Sequence, residues 1–377
     1  MITYYVLYGL LIVIAIKGVN SISSKYHLIA MGIIMTLFQG LRWNTGADWT
    51  QFYRTFNLLN WHNVFSFSRG DYRTLEYGYS LLNVCVKTLF GHYTFFLLLI
   101  CGYINYTYGY FIQRYIPKYK TLCYYVILLT SELFPVRNTM AGVTIIWGIQ
   151  FIQNRDFIRY ALVVLAASLI HSSGALGIIF FWFNRPINKY FWLIAFLISG
   201  IIVNYISSMI NLIAAIPIIG DLEMIKVFSI YNDIYNTYGE NVNTFSIFSF
   251  IMNGLILVML LFSGNNFKNL SSKEMNLFVN MAALSIVISQ MSNNANAIGE
   301  LSRLNYFVKI GFAIMLVLSL VYWIKRLKID VSMLYILLIA YSINRIAGFV
   351  NDFYANLFIP YYSVFEHSNV RDYFNAF

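Results

Sequence analysis

The chain has 377 residues, of which 59% are hydrophobic, 19% aromatic and only 11% charged, and its net charge is +10. A soluble domain carries about a quarter charged residues, so this composition cannot cover a water-facing surface and excludes an ordinary soluble globule. Apolar runs near the bilayer-spanning length of roughly 17–25 residues recur from Ile2–Ile16 to the neighbourhood of Val331–Val350, which marks a multi-pass membrane protein.

The first run has no basic leader and no small-residue cleavage site, so it reads as an anchor that is retained. Basic clusters then punctuate the chain at Arg114–Lys118–Lys120, Arg155–Arg159, Arg185–Lys189, Lys268–Lys273 and Lys325–Arg326–Lys328. The positive-inside rule assigns such loops to the cytoplasm, so much of the positive charge follows from topology and does not call for a nucleic-acid partner. With those loops fixed, candidate spans fall near 2–17, 26–41, 75–90, 93–113, 121–134, 139–153, 158–183, 190–209, 244–262, 275–291, 304–323 and 330–350.

The fold class is therefore all-α: a polytopic transmembrane helical bundle of roughly ten to twelve hydrophobic segments. It reads as a single integral-membrane domain over residues 1–350. Outer loops fall at about 42–74, 135–138, 210–243 and 292–303, and a short C-terminal tail at 351–377. There is no sequence repeat and no soluble domain. Alternation fails twice, however, once between 74 and 114 and again between 159 and 185, where Ser172-Ser173-Gly174 interrupts one long apolar run. Broken or re-entrant helices lining a protein cavity resolve such mismatches, because only there can irregular backbone be satisfied at membrane depth. The second mismatch predicts a bend near His171.

Cys85, Cys101 and Cys123 lie in apolar stretches without ligand spacing and read as packing residues, not as a disulfide or metal framework. The loop after the second span carries Trp43, Trp49, Tyr53, Trp61, Phe65 and Phe67. These aromatics suit either a headgroup-level belt or stacking on sugar rings, and Trp43, Trp49 and Tyr53 are the sugar-binding candidates.

Loop topology does not explain four arginines. Arg42 closes the second apolar run, Arg137 sits at a break after Pro135, Arg303 follows Glu300, and Arg345 lies inside the last apolar run. Ionisable groups at such depth cost a few kcal/mol and face a cavity or a partner. Four guanidinium groups on the outer half, with no lysine among them, suit a bidentate-bound anion such as a lipid diphosphate. Internal pairing, of Arg42 with Asp48 or Arg303 with Glu300, is the alternative. His171, midway through a long apolar run, can act as base or as donor to a phosphate oxygen. Asp48 and Glu76 are the carboxylates on the same side, and Asn293 heads a polar patch fit for sugar hydroxyls. Walker, zincin and nucleophile-elbow motifs and an Asp-x-Asp metal pair are missing.

Taken in order, these motifs resemble the EpsG-like and Wzy-type polymerases of bacterial surface polysaccharides. The carriers are Arg42-Trp43-Asn44-Thr45-Gly46-Ala47-Asp48 followed by Tyr53, then Glu76-Tyr77-Gly78-Tyr79 and Arg137-Asn138. Ala166-Ala167-Ser168-Leu169-Ile170-His171-Ser172-Ser173 follows, and Arg303 before Tyr306 completes the set. Two departures stand out: Asn138 where the family has glutamine, and Ser172-Ser173-Gly174 after the histidine. The resemblance implies a GT-C-like glycosyltransferase of the bacterial inner membrane, with its active site facing the periplasm. Donor and acceptor would both be undecaprenyl-diphosphate-linked oligosaccharides, with no cofactor and no metal. Membrane lipid and a chain-length regulator protein would be its partners, and O-antigen carried on lipopolysaccharide a typical product. On that reading Arg42, Arg137, Arg303 and Arg345 hold diphosphate, while His171, Asp48 and Glu76 supply the acid–base chemistry. An O-antigen ligase, or a flippase for lipid-linked oligosaccharide, are the competing functions.

Overall fold

A computed structural model describes residues 2–19, 21–46, 48–67, 75–199, 247–263, 267, 270–292, 305–350 and 355–366. Among these residues all extended regular structure is helical, as the composition requires, and the strand-like element is an isolated bridge between Arg42 and Ser363. Among the described residues, three helices are long and apolar enough to cross a bilayer: Ile2–Val19, Tyr93–Tyr115 and Asn305–Arg326. Shorter apolar helices of 10–17 residues accompany them. The chain divides into two compact units, residues 1–178 with 324–377, and residues 179–323.

The first unit contains α1 (Ile2–Val19), α2 (Ser24–Gly40), α3 (Trp49–Leu58), α4 (Tyr77–Phe90), α5 (Tyr93–Tyr115), α6 (Lys120–Thr130), α7 (Arg137–Ile146), α8 (Ile149–Asn154) and α9 (Phe157–Ile170). In α1 the buried positions Tyr4, Leu7, Tyr8, Leu11, Ile12 and Ala15 recur every three to four residues, the stripe a helix uses to face a core. That stripe packs on α2 and α6. Helix α6 is buried on every side from Lys120 to Leu129 and so forms the centre of the unit. Gly18 of α1 lets Thr121 approach, and the Thr121 hydroxyl donates to the Ala15 carbonyl at 2.8 Å.

A buried polar knot fixes α2, α5 and α6 together. The Asn105 amide donates to Gln39 Oε1 (3.0 Å) and Thr36 Oγ1 (3.2 Å), and the Tyr124 hydroxyl donates to Asn105 Oδ1 (2.7 Å). In an apolar surround such a satisfied network specifies one helix register, because any slip strands polar groups without partners.

Several predicted spans are interrupted. Residues 139–153 do not form one helix; α7 stops at Ile146 and α8 begins at Ile149, with Gly148 lying under the Tyr160 ring. The 158–183 run does break at His171, which is extended (φ −153°, ψ 132°), and an eleven-residue 3-10 helix over Ser172–Trp182 follows. Runs of 3-10 helix beyond three or four residues are uncommon, so this segment is held by its surroundings; Tyr160, for one, donates to the Gly177 carbonyl. The 42–74 loop contains α3.

The first unit closes with α14 (Ser332–Val350), which packs on α1 and α6, and with residues 355–366. This last segment lies in what the sequence marks as a tail, yet it is bonded into the unit. Tyr4 donates to the Phe358 carbonyl and Tyr361 to the Phe38 carbonyl.

The second unit holds α10 (Lys189–Ser199), α11 (Ile247–Phe262), α12 (Ser272–Ser292) and α13 (Asn305–Arg326). Helices α11 and α12 pack together, and Gly311 lets α13 close on Met281. Asn280 anchors the entry to α10: its amide donates to the carbonyls of Phe183 and Arg185, and its oxygen accepts from Trp192. Arg303, Glu300, Asn293 and the 210–243 loop lie outside the described residues.

Candidate active site

Three segments far apart in sequence meet in the first unit: the entry to α4, the start of α7 and the end of α9. Each is a helix terminus, where backbone groups lack helical partners and polar side chains are welcome. Helix α6 ends at Thr130, the link 131–136 containing Pro135 is non-helical, and Arg137 becomes the first residue of α7 after its N-cap Val136. Gly78 brings the start of α4 against the Leu169 backbone of α9, and a Cβ there would sit 2.7 Å from the Leu169 carbonyl oxygen.

At this junction Arg137 Nη1 donates to Glu76 Oε2 at 2.6 Å, and the backbone N–H of Ser172 donates to Glu76 Oε1 at 3.2 Å. The Arg137 guanidinium lies 5.3 Å from the centre of the Phe52 ring and 5.4 Å from that of Tyr79. Cation–π contact of this kind suits arginine better than lysine. Arg137 and Glu76 keep 15% and 19% of their side-chain surface, so the pair is half-sheltered but reachable.

Glu76 precedes α4 and lies outside the helix. Burial pushes its carboxyl up, but Arg137 and then His171 pull it down, helped by backbone N–H donors, and the balance falls below the ordinary carboxylate value.

His171 is 7% exposed. Its Nδ1 lies 2.8 Å from Ser173 Oγ and receives the Ser173 backbone N–H at 3.2 Å. The Ser173 backbone N–H donates to Nδ1, which favours the tautomer with the ring proton on Nε2; the single Ser173 hydroxyl proton goes to Asn138 Oδ1. Ser173 Oγ also lies 3.0 Å from the Asn138 amide, which ties the end of α9 to the start of α7. Asn138, Ser172, Ser173, Phe52 and Tyr79 thus belong to the site, although sequence reasoning gave them no role. Asn138, Ser172 and Ser173 adjoin Arg137 and His171 and Tyr79 lies in the Glu76 motif, whereas Phe52 carried no such signal.

The Arg42–Asp48 motif forms a separate, neighbouring structure. Asn44 and Gly46 adopt positive φ (45° and 108°), conformations open to asparagine and glycine at small cost. The loop is laced to residues 355–366. Trp43 N–H donates to the Tyr362 carbonyl (2.9 Å), Gly46 N–H to the Leu357 carbonyl (2.8 Å) and Val364 N–H to the Leu41 carbonyl (2.7 Å), while Thr45 Oγ1 receives Tyr362 N–H (3.1 Å).

Arg42 is 2% exposed, with Nε and Nη1 buried and unbonded, and its guanidinium rests 4.7 Å from the Phe134 ring centre. No Arg42–Asp48 ion pair forms; Asp48 is exposed at the start of α3 and makes no cap hydrogen bond. Trp43, Trp49 and Tyr53 pack on one another, Trp49 and Tyr53 stacking at 4.9 Å, with Trp49 buried and the other two half-buried. Arg345 does not join either group. It is exposed on α14, and Tyr8 of α1 feels its charge.

The profile of the EpsG family matches residues 25–363, nearly the whole chain. This chain belongs to the EpsG family. The match ends at Ser363, the residue bridged to Arg42, so the segment laced to the Arg42 loop is part of the family's own extent. EpsG proteins are related to the Wzy-like polysaccharide polymerases, which makes this a polymerase-type membrane protein of polysaccharide biosynthesis. No curated protein and no solved structure matches the chain.

Proposed function

We propose that this EpsG-family chain is a glycosyltransferase of the bacterial inner membrane. It would transfer a growing undecaprenyl-diphosphate-linked glycan onto a lipid-linked repeat unit at the outer face. The observation that carries this reading is the junction of Glu76, Arg137 and His171, brought together from three segments at the ends of α4, α7 and α9. It offers one reachable guanidinium, one carboxylate held ionised, and one ring N–H.

In the reaction the acceptor hydroxyl oxygen bonds to the anomeric carbon of the donor. The bond from that carbon to the diphosphate breaks, and its electron pair leaves with the diphosphate. Arg137 meets the charge that builds on the departing oxygens, a role in which preorganised donors contribute most because they need not reorient. His171 donates from Nε2 to the same group. Glu76 orients Arg137. Asp48, exposed and not engaged in a helix cap, takes the hydroxyl proton. Trp43 and Tyr53 offer ring faces to sugar, and Arg42 positions the loop that carries them. Arg303 and Asn293 lie outside the described residues, and this scheme gives them no step. Diphosphate is already a good leaving group, so the scheme asks no metal of the protein.

The test is a gel of surface polysaccharide from a deletion strain complemented with the intact gene. A carrier lipid or core bearing a single repeat, with the ladder restored on complementation, is the expected result. Polymer stranded on the lipid carrier with bare core would instead mean a ligase, and no repeat beyond the cytoplasmic leaflet a flippase.

A further inference from the structure

On the surface of the first unit, α2 and α5 run antiparallel and enclose a groove of about 740 Å³. Helix α2 leads from Lys25 to Arg42, and α5 returns from His92 to Arg114, so the groove's basic end lies at the far end of these helices from the Arg42 loop. Its floor is opened by Gly32, Gly102 and Gly109. A Cβ on Gly109 would meet nothing within 4 Å, and one on Gly32 would meet only the Tyr124 hydroxyl at 3.7 Å. Glycine inside a helix costs about 1 kcal/mol relative to alanine, and these positions gain no close packing in exchange. The walls, including Ile29, Ile33 and Tyr106, are apolar and exposed.

Charge is confined to one end. Lys25 and Arg114 line the groove there, and Lys25 also bears on the buried Lys120. Residues 1–47 and 77–131, which supply α1, α2, α4, α5 and α6, contain no aspartate or glutamate to answer these cations. From Lys25 to Leu37 the helix rises roughly 18 Å, close to half a bilayer's hydrocarbon thickness and to one extended acyl chain. In a membrane protein an exposed apolar groove meets lipid. The charged lining residues, Lys25 and Arg114, are both cationic and sit at one end, while Thr36 and Asn105 further along are neutral, so the charged end selects the headgroup.

We infer that this groove seats an anionic phospholipid from the leaflet facing Lys25 and Arg114, with its phosphate between those two side chains and an acyl chain over Gly109 and Gly32. The inference rests only on the chain being a membrane protein, and not on the proposed reaction.

The test is native mass spectrometry of the full chain released from nanodiscs of equimolar phosphatidylglycerol and phosphatidylcholine. The intact protein should retain phosphatidylglycerol over phosphatidylcholine by on the order of tenfold, since each basic residue near a membrane surface favours anionic lipid several-fold. The double variant Lys25→Gln/Arg114→Gln should lose that preference. Gly109→Leu, which fills the groove without touching charge or packing, should lower retention with both cations present. Lys325→Gln/Lys328→Gln, which removes charge elsewhere, should change neither. Equal retention of the two lipids by the intact protein would overturn the inference. So would selectivity that survives Lys25→Gln/Arg114→Gln, full retention in Gly109→Leu, or an equal loss in the Lys325/Lys328 control. Polymer is not the readout, so failure here leaves the proposed reaction standing, and failure of the reaction leaves this site standing.

Discussion

Arg137 and Arg42 look alike in sequence, each a lone arginine ending or opening an apolar run, but their surroundings differ. Arg137 is paired with Glu76 at 2.6 Å, lies against the Phe52 and Tyr79 rings and is 15% exposed. Arg42 is 2% exposed, rests on Phe134, and sits in a loop fastened by residues 355–366. A paired, reachable cation can exchange part of its partner set for an incoming anion. A buried cation without a carboxylate acts mainly through the shape and field of what surrounds it, at a standing desolvation cost. In the proposed reaction the same residue type thus divides into a group that would touch substrate and one that would build the place where substrate sits.

The sharpest way to break this division is Arg137→Ala. Removing a preorganised donor from a developing charge typically costs about 10²–10³ in rate, so long chains should vanish from the gel while the protein level in the membrane is kept. Arg137→Lys should recover little, since lysine has neither the planar fork nor the flat face that meets the Phe52 and Tyr79 rings. Wild-type chain lengths in Arg137→Ala would sink the contact role outright.

His171 gives the next largest effect and also discriminates its role. With the ring proton on Nε2, His171 donates, and a glutamine amide can reach much the same point. Substitution by alanine should cost roughly 10²-fold in chain synthesis, whereas His171→Gln should restore about a tenth of activity. A glutamine variant no better than alanine would mean that the ring is needed as a base.

Hydropathy and the basic clusters made the membrane class, the helical fold and the break at His171 legible from the sequence, because all three rest on local composition and one polar interruption. The pairing of Arg137 with Glu76 was not legible. It depends on Gly78 letting α4 approach Leu169, and although the break after Pro135 is visible in the sequence, that approach is not. Nor was the seat of residues 355–366 legible. Four of the hydrogen bonds that fasten it are backbone to backbone or backbone to Thr45, and backbone bonds leave no trace in residue type. The split of 139–153 into α7 and α8 was missed for a related reason, since Trp147-Gly148 carries no strong break signal outside its packing under Tyr160.

Arg42→Met should produce a smaller loss, about tenfold in chain synthesis, together with a higher melting temperature in detergent. Replacing a buried, partly unbonded cation by an apolar side chain of similar length removes its desolvation cost and retains the contact with Phe134. A loss as complete as that of Arg137→Ala, at unchanged melting temperature, would erase the difference between the two regions and make Arg42 a ligand contact.

The smallest effect concerns Glu76 and pH. Its carboxyl titrates below the ordinary glutamate value of about 4.3, so the folded state holds the proton less tightly than the unfolded chain does. The resulting stability is fully present above that unfolded value and is lost as pH falls through the lower, folded one. Melting temperatures of the intact protein and Glu76→Gln should therefore differ by a constant few degrees from about pH 5 to 8, and converge only below about pH 4. Glutamine keeps one acceptor oxygen, which can serve Ser172 N–H or Arg137 but not both, and that remaining contact keeps the gap small. Convergence near neutral pH instead would mean that the carboxyl is protonated in the folded protein, and the ion pair that separates Arg137 from Arg42 would no longer be the basis of their difference.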